Sequence, residues 1–147
     1  MSKIDEFYEV IKKETEIILA TSADNRVTMR VVSPVMCDEG ILFFTWSDSR
    51  KFAQLRNNPK CCIAAGGFYA ECEASFRGAT MLDENSGLRA AYCVKFANAF
   101  DENVQYGGVG ADFIVLKPTR LSGWAFKDGI PTEDGVPNET FDIEING

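Results

Sequence analysis

The densest group of anion-holding side chains is the run Phe44-Thr45-Trp46-Ser47-Asp48-Ser49-Arg50-Lys51. It lies where an apolar, strand-like stretch ends and a short helical stretch begins. A helix N-terminus leaves backbone N–H groups unpaired, and its dipole favours negative charge. Thr45, Ser47 and Ser49 add hydroxyl donors. Arg50 and Lys51 add two cations, and Arg can grip a phosphate with two parallel bonds. Arg30, on the preceding strand, can point to the same place. Ser-Asp-Ser before a helix is also ordinary capping. Arg-Lys in a first turn is less ordinary, because cations there oppose the dipole by up to about 1 kcal/mol. An anion bound against that turn would reverse the penalty, so the pattern reads as a phosphate cradle.

The wider charge distribution agrees. The 147-residue chain has a net charge of −7, yet the window from Arg26 to Lys60 holds six cations and three acids. The window is net +3 and the remainder −10. So acidic a chain is a poor general binder of nucleic acid or anionic membrane. A local cationic patch points to a small anionic ligand, or else to solvated surface charge. There is no His, which removes Ser-His-Asp and Cys-His mechanisms and every His-ligated metal site. Five Cys without a C-x-x-C pair read as reduced thiols in a cytoplasmic protein. Cys61 and Cys62 are adjacent in an apolar run and should point to opposite faces of a strand. The charged, amphipathic N-terminus does not read as a signal peptide, and no stretch approaches the ~20 apolar residues of a membrane span. Neither G-x-x-x-x-G-K-[ST] nor a G-x-G-x-x-G following a strand is present. Gly107-Gly108-Val109-Gly110 precedes a strand and reads as a loop.

The elements that must position the cradle follow from periodicity. Ser2 to Asp5 resembles a capping box, and Ile4, Phe7, Tyr8 and Ile11 recur at helical spacing, so residues 3–14 are expected to be helical. Ile17–Ser22 reads as a strand and Asp24-Asn25 as a turn. Arg26–Met36 alternates, with Val27, Met29 and Val31 on one face and Arg26, Thr28 and Arg30 on the other. Ile41–Trp46 is expected to complete a three-stranded meander with these two. A helix should start after Ser49 and end at Asn58-Pro59. Cys61–Ala65 and Tyr69–Met81 read as strands, with Gly66-Gly67 a turn and Gly78 a bulge. A helix capped by Asp83 or Asn85 should run to about Phe100. Phe113–Leu116 reads as a strand that continues past Pro118 through Trp124, and Phe141–Ile145 as a last strand in a loop-rich tail over 127–147. A 46% apolar content is enough for one domain spanning residues 1–147. Six or seven strands, three helices and no βαβ alternation predict a mainly β (α+β) antiparallel barrel with appended helices.

Arg30-x-Val32, Phe44-Thr45, Ser49-Arg50-Lys51, Leu55-x-x-Asn58-Pro59 and Arg77-Gly78 together resemble the pyridoxamine 5′-phosphate oxidase-like split barrels that bind flavin mononucleotide (FMN). Pro118-x-Arg120-Leu121-x-x-Trp124 resembles the C-terminal strand of the same family, so the likeness spans most of residues 6–126. The resemblance implies a split β-barrel forming a homodimer, with FMN at the subunit interface. It implies that Arg30, Arg50 and Lys51 bind the FMN phosphate with Thr45 and Ser49. Backbone groups at Val31, Val32 and Phe44 would face the isoalloxazine ring. Glu73 stands where the oxidase has a flavin-facing Gln, and Trp124 would cover the flavin from the partner chain. Two departures separate the chain from the oxidase proper. Val35 stands where the oxidase has a Lys, and Lys127 is the one cation after Trp124, so the Arg-x-His pair that holds the vitamin is missing. The chain looks closest to the short nitroimidazole-resistance and general-stress-type members. Its expected activity is FMN-dependent reduction of a small electrophile such as a nitro compound or quinone, with NAD(P)H as a possible reductant. The alternatives are a non-catalytic FMN electron carrier or sensor, or a barrel holding a deazaflavin or another phosphate compound.

Overall fold

The computed structural model describes residues 1–101 and 110–145. Helix α1 spans Lys3–Lys13. The Ser2 hydroxyl oxygen accepts from the Asp5 N–H, and Lys12 and Lys13 close the helix at its negative pole. Phe7 and Ile11 are its buried face. Strands β1 (Ile17–Ala23) and β2 (Arg26–Val32) form a hairpin across Asp24 and Asn25, whose φ values of 53° and 63° fit the left-handed turn that matches strand twist. Strand β3 (Val35–Cys37) pairs with β4 (Gly40–Trp46). Gly40 has φ 145°, and a Cβ there would come within 2.5 Å of the Leu116 carbonyl oxygen, so only glycine closes this turn. Helix α2 (Arg50–Asn57) leads to the hairpin of β5 (Lys60–Ala65) and β6 (Phe68–Ala79). Helix α3 (Ser86–Lys95), β7 (Ala111–Ala125) and β8 (Glu139–Glu144) complete the order.

All pairings are antiparallel, in the order β2-β1-β5-β6-β7-β4-β3 with β8 also on β7. The fold is mainly β with appended helices, a split barrel. The split lies on β7: residues 111–116 pair with β4 and residues 120–125 with β8, while β6 follows both halves. Pro118 sits between the two partners, at a register shift against Cys72, where its missing N–H leaves no gap in a ladder. A second shift, between Phe76 and Gly78 (φ 83°), is the expected bulge.

The expected meander does not form. Ser33-Pro34 breaks the 26–36 run, so β2 and β3 lie at opposite ends of the strand order. Only two residues separate them, which forces those two ends together and closes the barrel. The described residues form eight strands, against six or seven expected. Helix α3 stops at Lys95 rather than near Phe100, because Phe96, Ala99 and Phe100 turn back onto the core. The tail has a short helical turn at Lys127–Gly129 before β8. Gly107, Gly108 and Val109 lie outside the described residues.

The central strands are buried on both faces, which is why Ile41, Leu42 and Phe43 form an unbroken apolar run. Ile41, Phe43, Ile114 and Leu116 face the barrel core with Phe7, Ile11 and Leu55. Leu42, Phe113 and Val115 face a second cluster with Tyr92, against which Phe44 and Phe100 pack. On β2 the alternation runs opposite to a simple core pattern. Val27, Met29 and Val31 are 76%, 68% and 56% exposed, while Thr28 and Arg30 point inward and are half-buried.

Candidate functional site

The cradle is built at the junction of β4 and α2. Ser49 caps the helix, its hydroxyl oxygen accepting from the Phe52 N–H at 3.3 Å. The Thr45 and Ser49 hydroxyls are 3.1 Å apart, and Thr45 is buried. Ser47 does not join them: its N–H and its hydroxyl both donate to the Gly110 carbonyl, at 2.9 and 3.0 Å. Arg50 and Lys51 occupy the first turn of α2, which contains no acidic residue.

Arg30 reaches this turn from β2. Its guanidinium donates to the Leu19 carbonyl at 3.3 Å, to the Thr21 hydroxyl at 2.8 Å and to the Thr28 hydroxyl. Burial lowers the Arg30 pKa from its ordinary value, and the nearby Arg50 charge lowers it further. Lys51 is lowered in the same way, first by burial and then by Arg30. Among the described residues none of the three cations has a carboxylate within ion-pair distance. Two part-buried cations, Arg30 and Lys51, with the exposed Arg50 beside them and no carboxylate paired to any of the three among the described residues, leave positive charge that an anion could balance.

A cleft of about 170 Å³ opens beside Lys51; Arg30, Arg50 and Ser49 do not line it. Val31, Val32, Phe44, Thr45 and Lys51 line it, as do Glu16, Ser33, Trp46 and Tyr92, which sequence reasoning did not single out. The Tyr92 hydroxyl donates to the Ser33 carbonyl at 3.0 Å and fixes that wall. Glu73 and Trp124 are elsewhere in the single chain. Glu73 lies on β6 between Lys60 and Lys117 in the ladder, in a larger groove of about 600 Å³ on the outer face of β1, β5 and β6. The charged residues lining that groove are Lys60, Glu71 and Glu73, so it does not call for an anion. Trp124 is 48% exposed near the end of β7, its ring edge-on to Phe126.

The cysteines carry no comparable chemistry. All five are free, with Cys61 buried and Cys62 exposed on opposite faces of β5, as alternation predicts. Burial pushes the Cys61 thiol up to about 12 and the Cys72 thiol higher still, so neither is a ready nucleophile. Among the described residues no group of three His, Cys, Asp or Glu is placed to hold a metal, and no helix is long and apolar enough to cross a membrane.

The sequence model of the pyridoxamine 5′-phosphate oxidase family matches residues 4–125. The chain belongs to that family. Among curated proteins no sequence match is found. Solved structures resemble this family member in fold at low identity. HutZ of Vibrio cholerae, a heme storage protein, is 19% identical with a TM-score of 0.69, over 88% of this chain and 100% of that one. A FAD-binding protein from Mesorhizobium loti is 15% identical with a TM-score of 0.65, over 84% and 94%. A NimC/NimA family protein from Clostridium acetobutylicum is 19% identical with a TM-score of 0.63, over 95% and 91%.

Proposed function

We propose that the chain is an FMN-binding flavoprotein that reduces a small electrophile and works as a homodimer. One observation carries this reading: Arg30, Arg50 and Lys51 gather at the first turn of α2 with no carboxylate partner among the described residues, and Lys51 borders a cleft walled by Val31, Val32 and Phe44. The donor set fits a phosphate monoester dianion, which would draw on two guanidinia, an ammonium, the Thr45 and Ser49 hydroxyls and the helix dipole. Val31, Val32, Phe44, Trp46 and Tyr92 give the cleft an apolar and aromatic side that would suit an aromatic ring. Bound FMN would supply hydride and electron transfer, and the protein would supply binding, orientation and electrostatics. Backbone groups of Val31, Val32 and Phe44 would face the ring. The exposed stripe of Val27, Met29, Val31 and Ile18 is the face a second copy would cover, and that copy would bring Trp124 and Glu73 towards the flavin.

Oxidation of pyridoxamine phosphate is not part of the reading. Val35 replaces the lysine of the oxidase pattern, and no His follows Trp124. A heme reading draws on the HutZ likeness. Without His, axial ligation would fall to Cys, Met or Tyr. The cationic turn answers a phosphate better than a porphyrin iron.

The test is to purify the protein and extract its chromophore. A yellow protein that releases FMN on denaturation is the expected result. A colourless protein that takes up no added FMN, or one with a Soret band, would overturn the reading. NAD(P)H-dependent turnover with nitro or quinone acceptors then separates an enzyme from an electron carrier or sensor. A deazaflavin in place of FMN would give its own absorbance.

A further inference from the structure

Arg30 must hold its guanidinium near two other cations before any anion arrives. Mutual repulsion should swing it away unless something anchors it. The anchor is visible in the hydrogen bonds. Thr21 and Thr28 are directly opposed across β1 and β2, and Arg30 lies two residues along β2 on the same face as Thr28. The guanidinium donates to both hydroxyl oxygens. A hydroxyl has one proton, so each threonine must send that proton elsewhere. Both protons go to one atom: Gln54 Oε1 lies 2.5 Å from the Thr21 Oγ1 and 2.6 Å from the Thr28 Oγ1. The amide turns its oxygen to the pair, since its N–H₂ end only donates and could not take the two hydroxyl protons.

Gln54 belongs to α2, three and four residues after Lys51 and Arg50, and is therefore on their side of the helix. It is 8% exposed, unusual for a glutamine, and Thr21 is 1% exposed. We infer that Gln54 is a positioning residue for the anion site, locking the Thr21 and Thr28 hydroxyls so that they hold the Arg30 guanidinium at a set distance from the first turn of α2. Three of the five guanidinium hydrogens are used by Leu19, Thr21 and Thr28. The Nε hydrogen and one Nη2 hydrogen, which form one edge of the fork, have no partner among the described residues. That edge is the one a phosphate takes with two bonds. The amide thus ties the strand cation to the helix cations, and the site is organised before it is filled.

The inference rests on the phosphate reading of Arg30, and its test separates the two. In the apoprotein, side-chain NMR should show resolved, slowly exchanging Arg30 guanidinium protons. Gln54→Leu, similar in size but without an acceptor, should average them. Gln54→Glu keeps the acceptor and should retain them, while weakening FMN through the added negative charge. The FMN dissociation constant should rise about tenfold in Gln54→Leu, as for a charge-assisted hydrogen bond loosened. The same change made in an Arg30→Ala background should move it less than about twofold, since the effect passes through Arg30. An equal loss in both backgrounds would make Gln54 a packing residue and overturn the inference. So would Arg30 signals that Gln54→Leu leaves untouched. If those signals collapse as expected but the wild type binds no FMN, the anchor stands and the phosphate reading falls. Should Gln54→Leu fail to fold, Thr28→Val breaks the same relay and carries the same cycle.

Discussion

Arg30 and Arg120 are both strand arginines, and their surroundings could hardly differ more. Arg120, on β7, meets Asp142 at 2.8 and 3.0 Å and Glu144 at 3.4 Å, all across the ladder to β8. Its pKa is raised, first by the hydrogen bonds it donates to Asp142. Among the described residues Arg30 has only neutral oxygens for partners, and its pKa is lowered, first by burial and then by the Arg50 charge. At Arg120 the protein has completed the charge itself, and the result is a clasp that holds the tail strand. At Arg30 it has built the geometry and left the charge open. Fixed position without neutralisation is what the proposed anion site requires of its strand cation.

The sharpest way to break this contrast is to remove both helix cations. Arg50→Ala with Lys51→Ala should weaken FMN at least about 100-fold, since each charge-assisted contact contributes about 1.5–3 kcal/mol. The fold should persist, because neither side chain belongs to the core. Arg120→Ala should leave FMN affinity within about twofold, because the clasp shares no partner with the cradle. Flavin fluorescence titration reads both. An equal loss in the two variants would erase the difference between the regions.

Much of the cradle was legible because it is local. The Ser49 cap, the Arg50-Lys51 turn, the Asp24-Asn25 turn and the Gly78 bulge each depend on a few consecutive residues whose backbone preferences are strong. The strand order was not legible, because a break at Ser33-Pro34 and one at Gly78 look alike in sequence. Only the long-range pairing of β7 with both β4 and β8 shows that the first closes a barrel while the second bends a strand. Gln54 was invisible for a related reason. A glutamine in a polar helix reads as solvent-exposed, and its role arises only when α2 packs on the Thr21–Thr28 pair. Its spacing from Arg50 and Lys51 was the one available signal.

A smaller effect should sharpen the idea of an unfilled charge. Lys51 is held below its ordinary value of 10.5 by burial and Arg30, so folding disfavours its proton. Between its folded value and 10.5 the unfolded chain binds more protons, and this group's contribution to apoprotein stability rises with pH. Lys51→Met should remove that slope. It should raise apoprotein stability by a few tenths of a kcal/mol, the group being half exposed and screened. The same substitution should lower the stability gained on adding FMN. Thermal melts with and without FMN across pH 8–10 read both signs. A lower apoprotein Tm in Lys51→Met would mean that Lys51 already has a compensating partner.

The clasp should respond to pH in the same sense, but at the acid end of the scale and only locally. Arg120 holds the Asp142 carboxyl below its ordinary value of 3.8. The pair's contribution is therefore present above that value and disappears as pH falls through the depressed one. Amide protection over Glu139–Glu144, taken relative to the intrinsic rate at each pH, should fall on that descent, and Arg120→Ala should produce the same loss of protection already at neutral pH. Added salt should weaken the clasp as well, since the pair lies in solvent. The amides of α2 should keep their protection throughout, because the anchor at Arg30 is made of neutral hydroxyls and an amide that do not titrate here. If acid loosened α2 and β8 together, the tail and the cradle would be one cooperative unit, and the division of labour between the two arginines would fail.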